Sequence, residues 1–287
     1  MTSNFKYPPP GKLVNVSGHN MHVFSAGQND KTLVFMSGHA TACPTLDFKP
    51  LWSLLVADYK IAVVEKFGYG WSDITKNSRD LDTMLANTRE ALASAGLVPP
   101  YVLVPHSVSG LEAVYWAQKY PQEVDAIIML DPNVPEMAES VKPSFLMTTA
   151  LNIMGKMSRN MSEKQARKAL AGKTPFASFG TLNENDQAIY ADVFRYRTYT
   201  PDMLREMKDF AQNIKLVKSS PTPVDVPLLL FSSDFGGNPK YAKFLRFHKE
   251  FAASFKHAKH IELACGHYVH SFEPERIANE IKAFLKL

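Results

Sequence analysis

The chain has 287 residues, 45% of them hydrophobic and 21% charged, with a formal net charge of +4. That balance is ordinary for a globular chain with a large core and excludes a disordered one. No run reaches the roughly 18 uninterrupted apolar residues of a membrane span, no Cys/His set has zinc spacing, and the mild positive charge lacks the clustered basic and aromatic residues of a nucleic-acid binder.

The segment Met1 to Lys12 is polar and proline-rich, without the apolar stretch of a secretion signal, so cytoplasmic residence is expected. Cys43 and Cys265 fit a reducing compartment. No Gly-rich phosphate loop is present, and His267 with His270 is too little for a metal site. Neither cofactor nor metal is expected.

Runs with strand character fall at 12–17, 21–26 and 31–36. The first two read as a hairpin, so the sheet should start antiparallel. The third ends at Ser37-Gly38-His39-Ala40. A glycine there lets a backbone N–H turn towards a substrate oxygen. The His39 N–H is therefore a candidate oxyanion donor, and Gly38 should border the pocket. A fourth run, 60–65, enters the turn Glu65-Lys66-Phe67-Gly68-Tyr69-Gly70-Trp71-Ser72-Asp73. From Asp80 to Ala95, apolar residues such as Leu81, Met84, Leu85 and Leu92 recur every three or four positions, which predicts a helix.

Tyr101 to Pro105 is an apolar run that stops at His106-Ser107-Val108-Ser109-Gly110, before a helix-like stretch from Leu111 to Tyr120. Strand, tight turn with a serine, then helix is the layout of a nucleophile elbow. A serine hydroxyl is a weak nucleophile until geometry and a base activate it. The usual elbow reads G-x-S-x-G; here Pro105 and Ser109 stand at the glycine positions, and Gly110 comes one step later. Ser107 is the candidate nucleophile, the Val108 N–H the second oxyanion donor, and His106 a pocket neighbour. The plain alternative is a strand followed by a helix capped by Ser107 or Ser109.

The run 125–131 ends at Asp131, and the alternation of strands and helices then breaks from 133 to 220. That gap is too long for a loop. Helical segments are expected at 145–157, 162–171, 183–196 and 200–217, the last opened by Thr200-Pro201-Asp202. Residues 133–220 thus read as a helical lid inserted into a core of residues 1–132 and 221–287. Seven of the twelve methionines lie in it. Such a face adapts to irregular hydrophobic groups, which makes Phe145 and Met154 candidate pocket residues, although ordinary packing accounts for most of the methionines. The insertion holds 13 lysines and arginines against 9 acids. That surplus would favour an anionic substrate or form a solvated face.

The run 227–232 precedes Asp234, and 259–264 precedes Cys265-Gly266-His267. A histidine just past a glycine can swing over the strand ends. His267 is the candidate base, with His270 as rival. Two acids compete to orient it: Asp234 is preferred and Asp131 is the alternative. Either aspartate could instead cap the segment that follows it.

The Ser37-Gly38 loop, the G-x-G-x-S-D turn, the elbow at Ser107 and Gly266-His267 stand in the order seen in α/β-hydrolases. Over nearly its whole length the chain resembles the lid-bearing esterase and lipase-like branch of that superfamily. The resemblance implies an α/β fold, with a mostly parallel eight-stranded sheet flanked by helices and an inserted lid. It also implies acyl transfer by a Ser-His-Asp triad, with the amides of His39 and Val108 holding the oxyanion. Dehalogenases and epoxide hydrolases of this fold carry aspartate at the elbow, so Ser107 argues against both. The expected substrate is a small to medium, hydrophobic carboxylic ester. Amides, lactones and activated C–C bonds use the same constellation, and a non-catalytic ligand-binding relative is the alternative from another class. An aminopeptidase is disfavoured because the insertion shows no evident acidic cluster to await a substrate amine. A monomer or homodimer is expected.

Overall fold

The computed structural model describes residues 5–138, 144–171, 177–220, 222 and 224–286. Eight strands form one sheet: β1 (Lys12–Val16), β2 (His19–Ala26), β3 (Thr32–Met36), β4 (Lys60–Glu65), β5 (Tyr101–Pro105), β6 (Val124–Leu130), β7 (Leu228–Ser233) and β8 (Ala258–Leu263). Their order across the sheet is β1-β2-β4-β3-β5-β6-β7-β8. The β1–β2 and β2–β4 pairs are antiparallel, and all other pairs are parallel. Burial follows from this topology. The central strands β3, β5 and β7 are covered on both faces and are largely apolar, β7 as far as Phe231, whereas β1 at one edge alternates between core and solvent.

Twelve helices are described: α1 (Pro44–Asp47), α2 (Lys49–Leu55), α3 (Leu81–Ser94), α4 (Ser109–Lys119), α5 (Pro135–Ala138), α6 (Phe145–Arg159), α7 (Glu163–Leu170), α8 (Glu184–Arg197), α9 (Pro201–Ser219), α10 (Ala242–Ala253), α11 (Val269–Phe272) and α12 (Pro274–Phe284). Successive strand residues point to opposite faces, so each strand feeds two cores. Val34, Leu103, Ile127 and Leu230 pack with α3, α4 and α9. Phe35, Val104, Ile128 and Phe231 pack with α2, α11 and α12. Helix starts follow local chemistry. The Asp80 side chain accepts from the Thr83 N–H at 2.8 Å to cap α3, and Thr200 caps α9 with Pro201 behind it.

Five helices, α5 to α9, lie between β6 and β7; α6 to α9 fall at the four helical segments expected there, and the short α5 was not expected. They are packed onto the rest of the chain. Phe210, Ile214 and Val217 of α9 enter the first core. Ala166, Leu170, Phe179, Tyr190 and Phe194 build a third cluster with Cys43, Leu46 and Trp71. No helix among the described residues is long and apolar enough to cross a membrane.

Candidate active site

Ser107 sits at the sharp turn between β5 and α4 with φ of +56°. A non-glycine residue is strained there and persists only where its surroundings hold it. Its N–H donates to Leu130 O at 3.3 Å, and its carbonyl accepts from the N–H groups of Asn133 and Gly110 at 2.7 and 3.0 Å. Gly110 leaves room for this clasp, since a Cβ there would lie 2.8 Å from both Asn133 O and Pro132 Cβ. Ser109, at the second glycine position of the motif, uses its hydroxyl: Oγ donates to Ser37 O at 2.5 Å. The elbow and the loop after β3 are thereby tied together.

That loop lies directly against the serine. A Cβ on Gly38 would sit 2.9 Å from Ser107 Cβ and 3.0 Å from His106 Nδ1, so only glycine fits without displacement. His39 and Val108 flank Ser107 in one cavity. Neither backbone N–H has a hydrogen-bond partner among the described residues.

His267 Nδ1 meets Asp131 Oδ2 at 2.5 Å. Asp131 is buried at the end of β6 with φ of +44°, and its Oδ1 accepts from the Ser233 N–H at 2.8 Å. His267 thus meets the alternative acid, Asp131, and not the preferred Asp234. The end of β7 serves to orient Asp131. Asp234 itself lies beyond the strand, where its Oδ1 accepts from the Gly236 N–H at 2.7 Å. That is a local turn of the kind short acidic side chains make.

The rival histidine is occupied otherwise. His270 is buried against Phe48 and His106, with ring centroids 4.9 and 4.8 Å away, and burial pushes its pKa down to about 3. It stays neutral. His106 is likewise buried, and desolvation, with His267 and His270 nearby, keeps it well below the ordinary imidazole value. The Cys265 thiol is pushed up to about 12 by burial, which disfavours the thiolate a nucleophile needs.

A cavity of about 450 Å³ opens over Ser107 and His267. Leu81 and Met84 of α3, Val108 of the elbow and Leu111 of α4 line one side, and Met147, Leu151, Phe194, Met207 and Phe210 of the inserted helices the other. Of the two pocket residues expected from the insertion, Met154 is half exposed and lines no part of the cavity. Met147 and Leu151, on the same face of α6 but nearer its N-terminus, do so instead. The side chain of Phe145 lies outside the described residues.

One part of the cavity wall carries charge. Glu112 of α4 and Glu206 of α9 line it, and both meet Lys66 Nζ, at 2.6 and 2.9 Å. Arg79 Nη2 and Tyr69 Oη donate to Glu206 Oε2 at 2.8 and 3.0 Å. Burial alone would raise the Glu206 pKa, but Lys66 and Arg79 outweigh it and hold the carboxyl below the usual range. Burial likewise lowers the His39 imidazole, with Glu206 opposing. The sequence reading missed this cluster. Its members come from four separate segments, and only Glu112, buried in an otherwise apolar helix, offered a hint.

A serine at a strand-end turn, a histidine and an aspartate gathered at the strand ends of a mostly parallel sheet are the arrangement of an α/β-hydrolase. The comparisons agree. The family model described as serine aminopeptidase, S33 matches residues 27–275, and the chain belongs to this family of α/β-hydrolases. An uncharacterized protein of Bacillus subtilis, YbdG, is 33% identical over 280 residues, covering 96% of this chain and 86% of the relative. Among solved structures, ALR0039 from Nostoc sp. PCC 7120, described as an α/β hydrolase, aligns with a TM-score of 0.71 at 17% identity over 99% of both chains. Haloalkane dehalogenase DbeA from Bradyrhizobium elkani USDA94 aligns with a TM-score of 0.68 at 20% identity, covering 96% of this chain and 97% of that one. At such identity the two structures bear on the fold alone.

Proposed function

We propose that the chain is a serine hydrolase that cleaves small to medium, hydrophobic carboxylic esters through an acyl-enzyme intermediate. The observation that carries this reading is the 2.5 Å contact of His267 Nδ1 with Asp131, beside a strained serine in a largely apolar cavity. Ser107 Oγ attacks the ester carbonyl while His267 takes its proton. Asp131 fixes the ring and stabilises the imidazolium. The N–H groups of His39 and Val108 hold the oxyanion, and loss of one such donor typically costs about 10²–10³ in rate. His267 then protonates the leaving alcohol, and water activated by the same ring releases the acid. Residues 133–220 act as a lid that shapes the pocket and excludes water. Cytoplasmic residence belongs to the same reading, supported by two unpaired cysteines.

A second reading, amine-directed peptidase activity, draws on the family description and on the two pocket carboxylates. The cluster argues against it. Glu112 and Glu206 are already matched by Lys66 and Arg79, so no net negative charge awaits a substrate ammonium. Hydrolysis of p-nitrophenyl esters from acetate to long acyl chains, beside aminoacyl p-nitroanilides, separates the two. Ester cleavage is expected, with Ser107→Ala at least about 1,000-fold slower and no longer labelled by a fluorophosphonate. Labelling that survives in Ser107→Ala would remove Ser107 from its role. Faster cleavage of the free-amine anilides would favour the peptidase.

A further inference from the structure

Behind Asp131 lies a chain of polar groups that acyl transfer does not use. His248 of α10 is buried, and its Nε2 lies 2.7 Å from Pro132 O. A carbonyl can only accept, so Nε2 carries the proton, and in the neutral ring Nδ1 is left as an acceptor. Nδ1 lies 2.7 Å from Ser232 Oγ, which therefore donates to it. The same Oγ lies 2.7 Å from His260 Nε2 and accepts from it. All three bonds thus run one way, from half-buried His260 on β8 through Ser232 on β7 to His248 and the carbonyl of Pro132. Burial holds His248 below the ordinary histidine value, with the Asp131 charge opposing. The ring stays neutral although Nδ1 is only 4.0 Å from Asp131 Oδ1.

The carbonyl that His248 holds belongs to a turn with two duties. Asp131, at positive φ, precedes Pro132, and the Asn133 N–H that follows clasps the carbonyl of Ser107 at 2.7 Å. We propose that His248 is a positioning residue: by donating to Pro132 it fixes the strained turn that aims Asp131 at His267 and braces Ser107. A neutral ring is required, because an Nδ1–H cation would compete with His267 for the Asp131 carboxylate. This assignment rests on the triad reading given above, and its test includes a readout independent of turnover.

The test compares His248→Ala, His248→Gln, His248→Asn and Ser107→Ala with the wild type. Steady-state kinetics are measured on the preferred ester, or fluorophosphonate labelling rates if no ester is turned over. Proton NMR follows the far-downfield signal of the proton between His267 and Asp131. Gln can place an N–H where Nε2 stood, whereas Asn is too short. His248→Ala and His248→Asn are expected to lose about 10- to 100-fold in kcat with KM within about twofold, and to shift or lose the signal. His248→Gln should recover to within about threefold with the signal restored. Ser107→Ala should be inactive yet keep the signal, which separates failure of the nucleophile assignment from failure of this one. Wild-type kcat in His248→Ala, or a loss that leaves the signal in place, overturns the proposal. Should His248→Ala fail to fold, His248→Gln decides together with Ser232→Ala, which keeps the Pro132 bond. Both are expected within about threefold of wild type, and a tenfold loss in either refutes the role.

Discussion

Ser107 and Asp131 are both non-glycine residues held at positive φ, at +56° and +44°, and a single turn links them through Asn133. Strain of this kind costs on the order of 1–3 kcal/mol per residue and persists only where neighbours over-determine it. Here the neighbours are visible: Leu130, Gly110 and Asn133 around the serine, Ser233 and His267 around the acid. Asp131→Asn is accordingly expected to lower kcat by about 10⁴-fold, because the amide favours the wrong histidine tautomer. Asp234→Asn should change kcat by less than about threefold, since its carboxylate only closes a surface turn. Steady-state kinetics on one ester check both, and the opposite ranking would return the role to Asp234. At this scale the sequence was informative where chain order constrained the answer. Ser107 follows an apolar run, and His267 follows a strand-like run and Gly266. The acid was not legible, because Asp131 and Asp234 both end or follow a buried strand, and only the fold shows which one the histidine meets.

The elements themselves were largely legible. Strands buried on both faces must be apolar throughout, and α3 must repeat every three or four residues. What the pattern could not show is how the inserted helices dock, because polar seams leave no periodicity. At one seam the Tyr190 hydroxyl of α8 lies 2.9 and 3.0 Å from the two oxygens of Asp47, and Ser178 Oγ donates to Asp47 O at 2.9 Å. Burial raises the Asp47 carboxyl from 3.8 to about 7, with Tyr190 and Ser178 opposing. The folded protein therefore binds this proton more tightly than the unfolded chain. The stability that proton confers is fully present below pH 4, and it is lost as pH rises from there through about 7. Asp47→Asn cannot lose it. Urea unfolding at several pH values should show the stability of wild type relative to Asp47→Asn falling between about pH 4 and 7. A pH-independent difference would mean that Asp47 titrates normally.

Across the whole molecule, the sheet and the insertion meet again at the charged cavity wall. Lys66 and Arg79 come from segments after β4, Glu112 from α4, and Glu206 from α9. Two cations and two carboxylates cancel, so the cavity is polar at that wall without net charge. Removing one partner leaves a buried charge uncompensated. Glu206→Gln is expected to destabilise the protein by about 3–5 kcal/mol, read from the urea midpoint. A loss below about 1 kcal/mol would show that the cluster is solvated and contributes little.

The two roots of the insertion are not equivalent. It leaves the sheet through Asp131, Pro132 and Asn133, which hold His267, His248 and Ser107, and α5 starts two residues later at Pro135. It returns along α9 and the stretch before β7, where no residue bonds to Ser107, Asp131 or His267 among the described contacts. Any graft that exchanges this module between homologous scaffolds therefore has one permissive seam and one forbidden one. A junction ahead of Leu228 leaves the contacts of Ser107 and His267 untouched, whereas a junction placed at residues 131–133 transplants the residues that hold both.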